Sequence, residues 1–238
     1  MKIALIGYGK MGHAIEAIAS ENNHTIVLAI NSSNQQELTK TNLAKADVAI
    51  EFTNPQSAIE NILLCFNTGV PVICGSTGWL EHWDKITEAC KEKNGSLVYA
   101  SNFSVGVNIF FELNKKLASL MQGQPGYNVS IEEIHHTAKK DAPSGTAITL
   151  AEQIISLSPV KKKWVNNKTD FLGELSIVSK RIDPAPGTHH VKYSSSIDDI
   201  EIIHTAHNRQ GFAAGAVLAA EFIKDKKGIF SMADVLNF

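Results

Sequence analysis

The sequence predicts an α/β protein, with a doubly wound parallel sheet domain followed by a smaller α+β domain built on an open mixed sheet. Three observations support this. Short apolar runs alternate with helix-period segments through residues 1–100, the pattern of strands joined by crossover helices. The first run leads directly into Gly7-Tyr8-Gly9-Lys10-Met11-Gly12, a glycine turn at the start of a helix. Beyond residue 121 the alternation yields to long period-two strands with few helices, which favours a mixed sheet.

Lys2 to Ile6 is a short apolar strand, and the helix after the glycines carries Ile15 and Ile18 before a second strand at Thr25 to Ile30. Strand, glycine turn, helix and strand form a complete Rossmann-type βαβ unit, a stronger signal than the glycines alone. The glycines let backbone amides approach a pyrophosphate at the helix start. A site for NAD normally carries an acid after the second strand, and a site for NADP an arginine nearby. Here Asn31, Ser32 and Ser33 stand there, so the choice between NADH and NADPH stays open.

A strand over 47–52, a helix over 55–68 capped by Asn54 and stopped by Gly69, a strand over 70–74, a helix over 80–93 and a strand over 96–100 continue the alternation. At the carboxyl ends of these strands lie Phe52-Thr53-Asn54-Pro55, Gly75-Ser76-Thr77-Gly78 and Ser101-Asn102-Phe103-Ser104. Such loops are cofactor candidates in open parallel sheets, although each taken singly is also ordinary turn chemistry. A long helix from 104 to about 121 leads to strands over 128–135, 174–182, 190–195 and 200–207, with Asp198-Asp199 as a turn. Helices over 210–224 and 231–238 are expected to return to the first domain. The expected boundaries are 1–105 with 210–238 for dinucleotide binding, and 106–209 for the second domain.

Chemistry concentrates in Glu132 to Thr146, where His135, His136, Lys139 and a helix start crowd together. The strand alternates Val129, Ile131 and Glu133 against Ser130, Glu132 and Ile134, so His135 and His136 share a pocket only if the strand breaks between them. Pro143 is expected in the first turn of the following helix, with Gly145 leaving room for a close ligand. The free amides near Ser144 to Thr146 form an anion seat. Lys139 can meet a carboxylate there or deliver a proton to a substrate that has just gained electrons. Lys140 reads as solvated, and His189 and His190 either reach the pocket or only end a strand.

Composition narrows the classes. Twenty-two Lys and Arg against 24 Asp and Glu, a net charge of -2, leave no footprint for bulk nucleic-acid or anionic-membrane binding. No apolar run has the length of a membrane span and no signal pattern precedes the first strand, so a cytoplasmic protein is expected. Cys65, Cys74 and Cys90 are odd in number and lack metal-ligand spacing, which predicts buried thiols. Lys161 to Lys163 is expected to be solvated surface.

Glu133-Ile-His-His-Thr-Ala-Lys-Lys-Asp-Ala-Pro-Ser-Gly-Thr146 and Ala100-Ser-Asn-Phe-Ser-Val-Gly-Val-Asn108 resemble two motifs of the 4-hydroxy-tetrahydrodipicolinate (dihydrodipicolinate) reductases of lysine and diaminopimelate synthesis. The resemblance spans nearly the whole chain. It implies His135 as proton donor or acceptor, Lys139 as proton donor, and His136, Gly145 and Thr146 as substrate ligands, with Arg209 near the substrate carboxylates. It places Gly7, Tyr8, Gly9, Lys10, Met11, Gly12, Gly75, Ser76, Thr77, Ala100, Ser101, Asn102 and Phe103 around NADH or NADPH, with Asn31 at the ribose. The implied substrate is a small cyclic dicarboxylate, and the implied assembly a homotetramer formed through the second domain, the substrate-binding and oligomerisation domain. The sequence departs from the family at Asn31, which replaces the usual acid, and at Lys10, which replaces a frequent arginine. Between Arg181 and His189 the arginine, Gly187 and the histidine fit while two prolines blur the match.

Three rivals stand beside this reading. Another two-domain dehydrogenase, such as a semialdehyde dehydrogenase, would require a cysteine nucleophile. A zinc hydrolase would draw on His135, His136, His189, His190, His204 and His207, although 204 and 207 fall on opposite strand faces; no metal is expected. A cofactor-sensing module would share the first 100 residues and bind NAD(P)H without turnover.

Overall fold

The computed structural model describes residues 1–208 and 210–238; Arg209, expected near the substrate carboxylates, lies outside the described residues. The chain opens with β1 (Lys2–Ile6), α1 (Lys10–Glu21), β2 (Thr25–Ile30), a short α2 (Lys40–Leu43) and β3 (Val48–Glu51). It continues through α3 (Pro55–Thr68), β4 (Val72–Cys74), α4 (Trp83–Glu92), β5 (Ser96–Tyr99) and α5 (Val105–Met121). Then come β6 (Asn128–His135), α6 (Gly145–Leu157), β7 (Lys163–Val165), β8 (Glu174–Arg181), β9 (Gly187–Ser194) and β10 (Asp199–Ala206). It ends with α7 (Gln210–Ile223), β11 (Gly228–Phe230) and α8 (Met232–Leu236). Two compact units result, Met1–Val105 with Gln210–Phe238, and Gly106–Arg209.

The first unit is a six-stranded sheet in the order β11-β5-β4-β3-β1-β2, with every pairing parallel. Its strands are mostly apolar because both faces are covered. In β1, Ala4 and Ile6 pack with Ala58, Ile62 and Ile86 on one side. Ile3 and Leu5 pack with Ile15, Ala216 and Val217 on the other. The strand β11 was not legible: it is three residues long and lies at the sheet edge beside β5, too short for a periodic signal.

The second unit holds a five-stranded mixed sheet in the order β10-β9-β6-β8-β7. The β6 pairing with β8 is parallel and that with β9 antiparallel. Alternation along β6 buries Val129, Ile131, Glu133 and His135, and along β9 Gly187, His189, Val191 and Tyr193. The amino-terminal half of β6 and, because the strands are antiparallel, the carboxyl-terminal half of β9 form the apolar core with Leu150, Ala151 and Ile154 of α6. The other end of this row is polar, and that change along one face locates the site.

Two expectations need correction. Pro143 is not in the first turn of α6: Ser144 takes the extended cap position and its Oγ accepts the Ala147 amide at 3.2 Å, so Pro143, after a cis peptide bond, precedes the cap. Lys161 is not solvated surface. It is 6% exposed, because its ammonium donates to Asn128 Oδ1 and the Glu174 carbonyl at 2.8 Å each and joins the starts of β6 and β8.

Candidate active site

In the first unit, the turn after β1 is shaped by close approach of backbone. Gly7 has φ +104°, and a Cβ there would lie 2.0 Å from the Phe52 carbonyl oxygen. The Gly7 and Tyr8 amides donate to the Ile30 carbonyl at 2.9 and 2.6 Å, tying the turn to β2. Gly9 caps α1 without a side chain, so the first amides of the helix have no capping group and no intrahelical acceptor. A cleft of about 580 Å³ over this turn is lined by Gly7, Tyr8, Gly9, Asn31, Ser32 and Thr53, among others. A neighbouring one of about 360 Å³ adds Lys10, Met11, Gly75, Ser76 and Thr77. Uncapped amides beside glycines whose outer side is open, as at Gly9, fit a dinucleotide pyrophosphate.

Gly12 is buried beneath the turn and lines neither cleft, nor do Ala100, Ser101, Asn102 and Phe103. The Asn102 Oδ1 accepts the Ser104 amide at 2.9 Å, and Phe103 is in the core. Asn31 Oδ1 accepts from the Ser33 amide at 2.8 Å and its hydroxyl at 2.7 Å, so its carbonyl is engaged in the local turn. Among the described residues lining the larger cleft, Glu60 is the one formal charge.

Beneath the clefts lies Glu51, fully buried at the end of β3. Its carboxylate accepts from the Thr53 amide at 3.0 Å, the Thr53 hydroxyl and the Cys74 thiol at 3.1 Å, while Ser76 Oγ accepts the same Thr53 amide at 2.8 Å. One carboxylate thus registers two cofactor-loop candidates. Sequence reasoning missed it because Glu51 sits inside an apolar run. Burial, then the charge of Glu51, pushes the thiols of Cys65 and Cys74 far above their usual range. All three cysteines are free and buried as expected, which leaves no activated thiolate.

In the second unit the polar end of the core face gathers four side chains around Glu133, which is 0% exposed. His135 Nδ1 lies 3.0 Å from Glu133 Oε2, an approach too oblique for an aligned hydrogen bond. The Arg181 guanidinium and the Ser144 amide each reach Oε1 at 3.2 Å. His189 Nε2 is 3.9 Å from Oε2 and 3.0 Å from Ser144 Oγ. Strand register explains the grouping: Glu133 stands opposite His189 and beside Ser179, and His135 beside Arg181.

Burial alone would raise the Glu133 carboxyl, but His135, Ser144 and Ser179 together hold it well below the usual carboxylate range. Burial, then the charge of His135, pushes the His189 imidazole down to about 3 against the pull of Glu133. His189 therefore stays neutral on a face where the carboxylate stays ionised.

The strand ends between the paired histidines, His135 buried and His136 half-buried. The Lys139 amide donates to the His136 carbonyl at 3.1 Å, and Lys139 Nζ donates to both Asp141 oxygens at 2.9 and 2.7 Å. Arg181 also donates to the carbonyls of Lys139 and Asp141 at 3.3 and 2.6 Å, so one guanidinium joins this loop to Glu133. Gly145 and Thr146 open α6 with amides that have no intrahelical acceptor, and the space over Gly145 is open. His189 belongs to the cluster. His190 faces the other way, 3.2 Å from Glu201. Glu133 and Arg181 were not among the candidates, although the strand alternation already set Glu133 on the face of Val129 and Ile131.

Glu133, His135 and His189 offer ligand atoms within 4.8 Å of one another, a spacing open to metals. The Arg181 guanidinium takes one oxygen of that carboxylate, Oε1, and leaves Oε2 facing the two imidazoles.

The family model described as dihydrodipicolinate reductase, N-terminus, matches residues 1–103, and that of the C-terminus matches residues 106–236. The chain belongs to the dihydrodipicolinate reductase family. A relative in Christiangramia forsetii, a 4-hydroxy-tetrahydrodipicolinate reductase, is 52% identical, with 100% of this chain and 98% of the relative covered. One of the same description in Methanosarcina barkeri is 40% identical over 82% of this chain and 74% of its own. A dipicolinate-bound dihydrodipicolinate reductase from Paenisporosarcina sp. TG-14 superposes with TM-score 0.78 at 24% identity, covering 98% of both chains, and shows the shared fold. Family membership disposes of the zinc hydrolase, and the buried thiols dispose of a dehydrogenase that works through cysteine. Among the described residues no helix is long and apolar enough to cross a membrane.

Proposed function

We propose that the chain reduces 4-hydroxy-tetrahydrodipicolinate to tetrahydrodipicolinate with loss of water, using NADH or NADPH, in lysine synthesis through diaminopimelate. The observation that carries the reading is the Glu133, His135 and His189 cluster beside the open amides of α6, within a chain of the reductase family. The first unit would hold the cofactor by Gly7, Tyr8, Gly9, Lys10, Met11, Asn31, Gly75, Ser76 and Thr77. Bound nicotinamide supplies the hydride. The chain's own groups have three tasks. The amides of Gly145 and Thr146 seat a substrate carboxylate, assisted by His136 and Arg209. Lys139 gives a proton to the ring nitrogen as electron density builds there, and His135 donates or accepts a proton beside it. The buried cluster holds the imidazole in place while this happens.

Oxidation of NADH and NADPH at 340 nm with enzymatically generated hydroxy-tetrahydrodipicolinate tests the reading. Turnover that requires this substrate supports it; cofactor binding without turnover would favour the sensing module. On the cofactor side, Asn31→Asp is expected to shift the ratio of kcat/KM values by roughly tenfold toward NADH, because an acid accepts from ribose hydroxyls and repels a 2′-phosphate. An unchanged ratio would remove residue 31 from cofactor choice.

We also propose a cytoplasmic homotetramer assembled through the second unit. The sheet face opposite the core is uncovered, and Ile203 on β10 is 57% exposed there. Light scattering on a sizing column gives the mass directly.

A further inference from the structure

We propose that Glu133 is a positioning residue: one buried carboxylate that holds the His135 imidazole and the start of α6 in a common register. Three of its contacts argue for this. Its Oε2 lies 3.0 Å from His135 Nδ1, close enough for the charge to favour a proton on Nδ1 even without an aligned hydrogen bond, which leaves Nε2 as the nitrogen that exchanges protons. Its Oε1 accepts the Ser144 amide at 3.2 Å, and Ser144 is the cap of the helix whose first amides form the anion seat. Arg181 meets the same oxygen at 3.2 Å and carries the loop of Lys139 and Asp141 on its other donors. Imidazole, amide seat and lysine loop therefore share a single anchor.

The opposite side of His135 is equally constrained. A Cβ at Gly187 would lie 3.1 Å from His135 Nε2, so the absence of a side chain there keeps that nitrogen uncrowded. The groups around His135 are Glu133 on its own strand, Arg181 opposite it on β8, and His189 on β9 with His204 behind it on β10; Lys139 and Asp141 are tied to the cluster through Arg181. His189 is held neutral at 5% exposure, and Asp141 is paired to Lys139. Glu133 is thus the carboxylate against which a charge on His135 is balanced. Glu133 touches no surface and no reacting atom; its effect passes through its neighbours.

The activity arm of the test rests on the proposed reductase reading, and the spectroscopic arm does not. Glu133→Gln keeps an acceptor for the Ser144 amide and removes the charge. In that variant the ring nitrogen shifts of His135, followed by NMR, are expected to report a changed balance of Nδ1 and Nε2 tautomers, since the carboxylate no longer favours the proton on Nδ1. kcat is expected to fall at least tenfold with substrate KM and cofactor Kd within about twofold. A parent protein without turnover would end the reductase reading while leaving the tautomer balance to decide the positioning role. An unmoved tautomer balance, or one equivalent of tightly bound zinc at the cluster in the parent, would overturn the proposal. If Glu133→Gln fails to fold, Glu133→Asp serves: it keeps the charge but withdraws it by one methylene. A fivefold or greater loss of kcat at a melting temperature within a few degrees of the parent supports the proposal, and an unchanged kcat overturns it.

Discussion

Lys139→Ala is expected to lower kcat by roughly 10² to 10⁴-fold, the range ascribed to a positioned general acid, while the dissociation constant for NADPH stays within about twofold. The ammonium is half-buried and its donors go to Asp141, at 2.9 and 2.7 Å. That pair is local and its acid is largely exposed, with a side-chain accessibility of 60%. Exposed pairs contribute little to stability, so the lysine is cheaply released toward an incoming dicarboxylate. Asp141 accordingly separates two roles. If Lys139 only ties the loop, Asp141→Asn should cost as much turnover as Lys139→Ala. If Lys139 delivers the proton, Asp141→Asn should cost a few-fold at most. Stopped-flow single-turnover kinetics of both variants, with cofactor titrations by fluorescence, decide between them; equal losses in the two would remove Lys139 from the acid role.

The legible parts of this chain are those where one local rule suffices. The βαβ unit at Lys2 to Ile30 was readable because glycines, caps and apolar runs all demand the same backbone, and the core strands because period two separates Val129 and Ile131 from Ser130 and Glu132. The loops 52–55 and 75–77 were readable from composition and line the clefts of the first unit, whereas of Ala100 to Phe103 only the phenylalanine is in the core. What stayed hidden depends on register between distant strands. Nothing near Glu133 in sequence announces Arg181, 48 positions away, or His189, which meets it only because β9 pairs antiparallel with β6. Glu51 was hidden for the same reason: a carboxylate in an apolar strand has meaning only once Cys74 and Ser76 are brought alongside. Lys161 was misread as surface because a run of three lysines carries no information about which ammonium finds Asn128.

Acidification from pH 6.5 toward 3 is expected to destabilise the protein through His189, and His189→Gln should flatten that dependence. Burial holds this imidazole down to about 3, from 6.5 when free. Between those values the unfolded chain binds a proton at this position that the folded chain does not, so stability rises with pH across the window and is lost as pH falls through it. Below the folded value no further loss arises here. A displacement of this size corresponds to at most ~5 kcal/mol, and water entry on protonation leaves roughly 2–3 kcal/mol of it as a realistic expectation. Glu133 acts in a different window. Its folded value lies below the ordinary one of 4.5, so its contribution is complete above that pH and fades only beneath it. Between pH 6.5 and 4.5 the difference between parent and variant therefore reports the imidazole and not Glu133. In His189→Gln the amide can still meet Ser144 Oγ, which His189 Nε2 reaches at 3.0 Å, so the variant should fold at pH 7.5. Urea unfolding of parent and variant at pH 7.5 and 5 measures the difference. Contributions common to both proteins cancel in that comparison, so an identical pH slope in parent and variant would mean that His189 is not the buried neutral base described.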